Sequence, residues 1–267
     1  MRLLIKLSSK FTSQYDTEYH YHLQGFIYNL IKDSKYHFLH DKKGYKYFCF
    51  SNIFPFSSLI KKNEVKNWII SSPDHEFIDY LDSLLNEIQN KYIRISYMEF
   101  EILGKEKLPF NLNKEQHFSL VTGTPIIIRI PNIKFKQHNI EISKSYKYYY
   151  WRKEYPLHLF IFQLENSLIK KYNDFCDYKK IAGKIKSESN QFFEKCTFKK
   201  QISTRVKINE ARYPIIGTLW EFDFKSYTNQ ALIEFAMDAG LGERNSLGFG
   251  FMNISYKSSS IEKQKYT

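Results

Sequence analysis

Along residues 2–8, Leu3, Ile5 and Leu7 alternate with Arg2, Leu4 and Lys6, the period of two expected of a half-buried strand. The period then lengthens. Between residues 19 and 34, Leu23, Phe26, Ile27, Leu30 and Ile31 recur at i, i+3, i+4, i+7 and i+8, one stripe of an amphipathic helix. Residues 46–54 and 65–71 read as strands. Ser72-Pro73-Asp74-His75-Glu76 then opens a second helix, with Ser72 as cap, Pro73 first and acids in the first turn. Its stripe is Phe77, Leu81, Leu84, Leu85 and Ile88, and residues 91–103 close with a strand. The order is β-α-β-β-α-β.

The second half repeats that order with an insertion. Residues 125–130 predict a strand and 156–172 a helix with Leu157, Phe160, Ile161, Leu164 and Leu168 on one face. The polar stretch 178–195 is expected to be helical too. Residues 197–208 and 213–224 read as a strand pair around Asn209-Glu210-Ala211-Arg212, with Trp220, Phe222 and Phe224 alternating against Glu221 and Asp223. Thr228 is expected to cap a last helix carrying Ala231, Leu232, Phe235, Ala236 and Ala239 inward, before a strand over 249–256. The pattern therefore predicts an α+β chain of two tandem ferredoxin-like βαββαβ units of the RRM-like kind, 1–122 and 123–267, joined near 107–124. The aromatic strand consensus of RNA-recognition modules is not visible. A fold hosting many functions decides none of them.

Composition narrows the class. Aromatic residues make up 18% of the 267, which argues against disorder. No apolar run approaches the ~18 residues of a membrane helix, and Lys6 interrupts the N-terminal apolar run before a signal-peptide core could form. Cys49, Cys176 and Cys196 are isolated thiols without CxxC spacing, the usage of a reduced, cytoplasmic protein. Charge is uneven: residues 1–122 carry a net of +2 and residues 123–267 a net of +10. A basic half beside a near-neutral one suits a polyanion. Because 33 of the 40 basic residues are Lys, an AT-rich genome would also produce the excess.

The sharpest motif is Gly240-Leu241-Gly242-Glu243-Arg244-Asn245-Ser246-Leu247-Gly248-Phe249-Gly250. Gly240 follows the last helix, where a C-cap favours glycine. Gly248 and Gly250 open the final strand, where absent side chains let another backbone approach. Arg244, Asn245 and Ser246 are donors suited to phosphate or ribose. The spacing fits neither a Rossmann fingerprint nor a Walker A loop. The G-Leu-G-x5-G-Phe-G pattern resembles the signature loop of the CRISPR-associated repeat endoribonucleases, RAMP-superfamily enzymes that cut precursor CRISPR RNA. The stretch from Tyr21-His22-Leu23-Gln24-Gly25-Phe26 to Ile31 also resembles that family's first helix.

The resemblance implies a metal-independent endoribonuclease that frees guide RNAs by 2′-OH attack on the adjacent phosphate, in defence against viruses. A Tyr–His–Lys set occurs in this segment of the family, and it carries over to Tyr28, His40 and Lys46. Tyr28 lies off the apolar stripe beside Gln24, His40 in the loop after the first helix, and Lys46 at the start of the next strand. Such a set fits the chemistry. A base must take the 2′-OH proton, a cation must stabilise the phosphorane and an acid must protonate the leaving oxygen. Histidine titrates near neutrality. His37 competes with His40 for the role of base, whereas His20 and His22 read as surface or capping residues. The division of roles between Tyr28 and Lys46 stays open.

RNA-binding candidates are Lys199, Lys200, Arg205 and Lys207 on one expected strand, with Arg129, Arg244, Asn245 and Ser246. No cofactor is called for, and no HExxH, carboxylate pair or Cys/His cluster suggests a metal. The implied partners are CRISPR repeat RNA and other subunits of an interference complex, with no membrane; monomer and homodimer both stay open. The alternative is a non-catalytic RNA-binding subunit of a CRISPR ribonucleoprotein. A structural protein whose charge is purely compositional is the third reading.

Overall fold

The computed structural model describes residues 1–88, 92–109, 118–141, 146–186, 192–208, 211–226 and 228–256. Its first part runs β1 (Arg2–Ser9), β2 (Ser13–Gln14), α1 (His20–Ile31), α2 (Phe38–Asp41), β3 (Cys49–Phe50), β4 (Leu59–Ile60), β5 (Val65–Ser71), α3 (His75–Glu87), β6 (Tyr92–Ile95) and β7 (Met98–Leu108). These strands form an antiparallel sheet in the order β3-β5-β1-β7-β6, while β2 and β4 make a small ribbon. Leaving out β6, that is the ferredoxin-like order. Leu3, Ile5 and Leu7 of the central strand are fully buried with Leu23 and Ile27 of α1 and Phe77 and Leu81 of α3. The stripe on α1 is narrower than its sequence suggests, because Phe26 and Leu30 are only half-buried.

The second part runs β8 (Phe118–Thr122), β9 (Arg129–Pro131), α4 (Asn132–Gln137), β10 (Tyr148–Tyr150), α5 (Leu157–Lys179), β11 (Phe193–Ile208), β12 (Ala211–Phe224), α6 (Gln230–Ala239), a 3-10 turn (Asn245–Leu247) and β13 (Met252–Tyr256). Its sheet order, β11-β12-β8-β13, repeats the first with β8 central and α5 and α6 as the two helices. Trp220 stacks on Phe160 of α5 with centroids 4.5 Å apart. The chain is thus α+β with two tandem ferredoxin-like units.

Several elements differ from the pattern reading. The strand expected over 46–54 is only Cys49–Phe50, because Gly44 and Tyr47 take positive φ and the Tyr47 ring is buried against Phe175 and Tyr178. The closing strand expected over 91–103 is the hairpin β6–β7, turning at Ser96 with φ 59°; residue 91 lies outside the described residues. The first strand of the second unit is β8, within the segment expected to be a linker, not residues 125–130. Ile126 and Ile127 make single bridges only, to Thr218 and Glu243. A short apolar run records burial and not pairing.

Helix α5 ends at Lys179 with Lys180 left-handed, so the described part of 178–195 is not helical beyond that point, and residues 187–191 lie outside the description. Asp74, not Ser72, precedes α3, because the Ser72 hydroxyl is bonded to the Tyr47 carbonyl and accepts from the Asp74 N–H. Asn229, not Thr228, caps α6, accepting from the Ala231 N–H, while the Thr228 hydroxyl is turned to the Phe192 carbonyl. Residues 209 and 210 of the expected hairpin lie outside the described residues, but β11 and β12 pair up to Ile208 opposite Ala211.

The two sheets meet where it matters for the site. The Arg2 guanidinium reaches the Met237 and Met252 carbonyls, and Asp238 of α6 takes the Met1 ammonium and the Ser71 hydroxyl. Ile127, Val206, Ile215, Leu247 and Phe249 form a separate apolar cluster against which Tyr21 of α1 packs. That cluster holds α1 against the glycine-rich loop.

Candidate ribonuclease site

Helix α1 turns two faces to the protein. Leu23, Ile27 and Ile31 enter the core, while His20, Gln24 and Tyr28, spaced i, i+4, i+8, face residues 245–249. His20 is not the surface or capping residue its position suggested. It is buried, stacks between Tyr19 and Phe249, and sets Nδ1 2.9 Å from the Leu247 carbonyl. Burial pushes its pKa down to about 4, so it is neutral and donates that bond. Gln24 Nε2 donates to the Ser246 hydroxyl at 3.0 Å and reaches the Tyr28 hydroxyl at 3.5 Å.

His40 lies on α2, a single turn, rather than in a loop. Lys46 lies in the following loop rather than on a strand. Its ammonium donates to the Leu39 and His40 carbonyls, at the end of α2 where carbonyls lack intrahelical partners. The loop is anchored in turn on α5, since the Tyr47 hydroxyl and Lys42 both bond Asp174.

The three residues expected to carry the chemistry come together. The Tyr28 and His40 rings meet edge-on at 5.1 Å between centroids, and the Lys46 ammonium is 6.0 Å from the Tyr28 ring centre. All three line one open cleft of about 590 Å³, with Gln24, Lys32 and His37. His37 faces the same cleft, its ring parallel to that of His40 at 6.4 Å. His40 Nδ1 is 2.7 Å from Asp41 Oδ1, which leaves Nε2 for a substrate. That bond, first among the causes, holds the exposed Asp41 carboxyl below its ordinary range. Burial raises Tyr28 above the usual phenol value, Ser246 and Gln24 opposing it, so Tyr28 keeps its proton at neutral pH and can donate. Burial also lowers Lys46.

The glycine-rich loop is packed too closely for side chains. Gly240, Gly242, Gly248 and Gly250 all have positive φ. A Cβ on Gly242 would meet the Ile127 carbonyl at 2.6 Å, and one on Gly248 the Phe50 ring at 2.3 Å. Of the donors expected to reach RNA, Asn245 is turned inward: its amide donates to the Leu241 and Phe249 carbonyls and accepts from Lys171. Ser246 faces Tyr28. Arg244, left-handed at φ 58°, lines a small cavity with Tyr45 and Lys46. The sequence reading overlooked Gln24, Asp41 and Lys171. The four-residue spacing of Gln24 before Tyr28 was the signal for the first, whereas a lone mid-helix lysine carries none.

The strand candidates do not share one surface. Lys199 falls at the β-bulge and pairs with Glu221 at 2.6 Å. Lys200 then lies on the face opposite to Arg205 and Lys207, which flank the Pro214–Arg212 positions of β12. Arg129 is bound to Glu243 of the loop and its guanidinium sits 5.5 Å from the Tyr148 ring centre.

The model of the family "CRISPR associated protein Cas6, C-terminal" matches residues 108–254. The chain is 29% identical over 261 residues to a CRISPR-associated endoribonuclease Cas6 of Methanocaldococcus jannaschii, covering 95% of this chain and 99% of that relative. A relative of the same kind from Haloferax mediterranei is 26% identical, covering 99% and 97%. Among solved structures, one described as CRISPR associated protein Cas6 is 24% identical with a TM-score of 0.67, covering 97% of this chain and 99% of its own.

Proposed function

The chain belongs to the CRISPR-associated Cas6 family, and on that premise we propose that it is an endoribonuclease that cuts CRISPR repeat RNA in the cleft of Tyr28, His40 and Lys46. The observation that supports the reading most is the meeting of those three side chains, drawn from a helix, a one-turn helix and a loop, around one opening. His40 Nε2 takes the proton of the 2′-OH. The 2′-oxygen then bonds to the phosphorus, the bond to the 5′-oxygen breaks, and that oxygen takes up a proton. The products are a 2′,3′-cyclic phosphate and a 5′-hydroxyl. Lys46 donates two of its three hydrogens to the carbonyls that end α2, so it both fixes His40 and offers a cation to the phosphorane. Tyr28, held protonated, donates to the phosphate or the leaving oxygen.

Among the described residues no group of three His, Cys, Asp or Glu side chains is placed to hold a metal ion. Because the scheme draws only on Tyr28, His40 and Lys46, cleavage of a repeat-containing RNA should persist in EDTA, with cyclic phosphate and 5′-hydroxyl ends on the mapped products. Activity that disappears in EDTA and returns with Mg²⁺ would rule out the acid–base scheme.

Arg244 beside Lys46, and the exposed Arg205 on β11, are proposed to bind backbone phosphates. Each phosphate contact contributes ~0.7–0.9 to the slope of log affinity against log salt. Arg244→Ala with Arg205→Ala should weaken RNA binding and flatten that slope by ~1–2, read by filter binding between low and moderate salt. A slope equal to that of the unaltered chain would put the RNA on another surface.

A further inference from the structure

Lys171 sits in the second half of α5 with 2% of its surface exposed, a burial lysines almost never reach without a counter-charge. Among the described residues its ammonium has no carboxylate partner. It donates to the Gly240 carbonyl at 2.8 Å, the Gly242 carbonyl at 3.2 Å and Asn245 Oδ1. All three hydrogens are thus directed to the glycine-rich loop, at its beginning, its second glycine and its 3-10 turn. A methionine or leucine would fill the same space without desolvating a charge, but would leave those three acceptors without this donor. Packing therefore does not explain a lysine here.

The bonds lead onward to the cleft. By taking the Asn245 oxygen, Lys171 turns the Asn245 amide hydrogens to the Leu241 and Phe249 carbonyls, closing the loop on itself. The next residue, Ser246, accepts from Gln24 Nε2, which also reaches the Tyr28 hydroxyl at 3.5 Å. Three residues further along α5, Asp174 anchors the loop that carries Lys46. One face of α5 thereby holds both walls of the cleft.

Resting on the cleavage reading above, we infer that Lys171 is a positioning residue for RNA cleavage, whose ammonium sets the glycine-rich loop so that Ser246, through Gln24, holds the Tyr28 hydroxyl in line. The loop in this view is a brace for the catalytic tyrosine more than a grip on RNA.

The clamp has a pH signature. Burial, opposed in part by Cys49 and Glu243, pushes Lys171 down to about 8. Tyr45 also faces it, with its ring centre 5.9 Å away, and Lys46 and Arg244 share the small cavity alongside. A neutral amine has two hydrogens for three acceptors, so the rate should fall as pH rises through about 8. Stability should move the other way. The folded lysine releases its proton near 8 and the unfolded one near 10.5, so between those values the unfolded chain binds more protons and Lys171 contributes stability that grows with pH. A rate that falls while the fold strengthens separates positioning from unfolding.

The test is a double-mutant cycle of Lys171→Met and Tyr28→Phe, with single-turnover rate, RNA affinity and melting temperature measured from pH 6.5 to 9.5. Lys171→Met should slow cleavage by ~10–100-fold, the scale of a small misplacement of a reacting group. RNA affinity should change less than threefold, and the fall in rate near pH 8 should disappear. In the Tyr28→Phe background the same change should add little. Full additivity, a persisting fall near pH 8, or joint loss of affinity and rate would overturn the inference. If Tyr28→Phe cleaves at the unaltered rate, it is the reading of the cleft that fails. Should Lys171→Met not fold, Glu243→Gln decides. Removing that carboxylate lowers Lys171 further, so the fall in rate must move to lower pH, and an unmoved profile would count against the clamp.

Discussion

Replacing His40 by Ala should lower the single-turnover cleavage rate by ~10²–10⁴-fold, the usual contribution of a general acid or base, with RNA affinity nearly intact. The side chain is 59% exposed and its one hydrogen bond among the described residues is to the neighbouring Asp41, so the fold loses little. Lys46 bonds the His40 carbonyl and not its ring, so the α2 turn keeps its anchor in the variant. His37→Ala should do much less: its ring faces the cleft but lies a further turn away, at 6.4 Å from His40. A repeat carrying one 2′-deoxy nucleotide just upstream of the scissile phosphate should bind and resist cleavage, because the nucleophile is absent. If His40→Ala cleaves normally and His37→Ala does not, the base is His37. If the unaltered chain is inert on every repeat, the non-catalytic subunit becomes the better reading.

What the pattern of residues could reveal about this fold depended on what each element answers to. Strand β1 and helices α1, α3 and α6 were legible because their apolar periods reflect burial on one side. Strand β8 was not. Its five residues, Phe118 to Thr122, have one short apolar stretch and are defined by pairing with β12 and β13, which lie 100 or more residues on. Residues 125–130 looked more like a strand, yet Ile126 and Ile127 are buried between elements and pair only in isolated bridges, and only the end of the run enters a ladder, as β9. The caps misread at Ser72 and Thr228 share a cause: each hydroxyl found a distant carbonyl, at Tyr47 and Phe192, in place of the local helix.

The site divides in the same way. Tyr28 could be placed off the stripe of α1 from spacing alone, and the glycine pattern carried the family. That Asn245 and Ser246 turn inward, and that His20 is buried, could not be read off. Those orientations are set by Phe249, Gln24 and Lys171, up to 229 positions from the side chains they orient, and become visible only when the two sheets meet.

Gly250→Ala should destabilise the chain by ~3–5 kcal/mol, the range of backbone strain combined with overpacking, and lower its melting temperature by ~10 °C for a chain of this size. The residue has φ +71°, and a Cβ there would stand 1.8 Å from the Leu241 carbonyl oxygen and 2.8 Å from Asn245 Nδ2. Neither neighbour can give way. The Gly250 carbonyl accepts from the Leu241 N–H and its own N–H donates to the Pro125 carbonyl, so the two backbones are locked face to face. Moving Leu241 would also break its bond from Asn245 and, through Asn245, disturb Ser246 and the Gln24 amide that reaches Tyr28. The protein that remains folded should therefore cleave slowly as well as melt early. Gly25→Ala is the contrast. Gly25 lies inside α1 with nothing within 4 Å of an added Cβ, and glycine-to-alanine in a helix interior favours the fold by ~0.5–1 kcal/mol. The two substitutions are chemically identical, so opposite shifts in a thermal melt would isolate the close backbone approach at Gly250. If both variants melt with the unaltered chain, the loop is not packed as described, and the brace behind Tyr28 loses its basis.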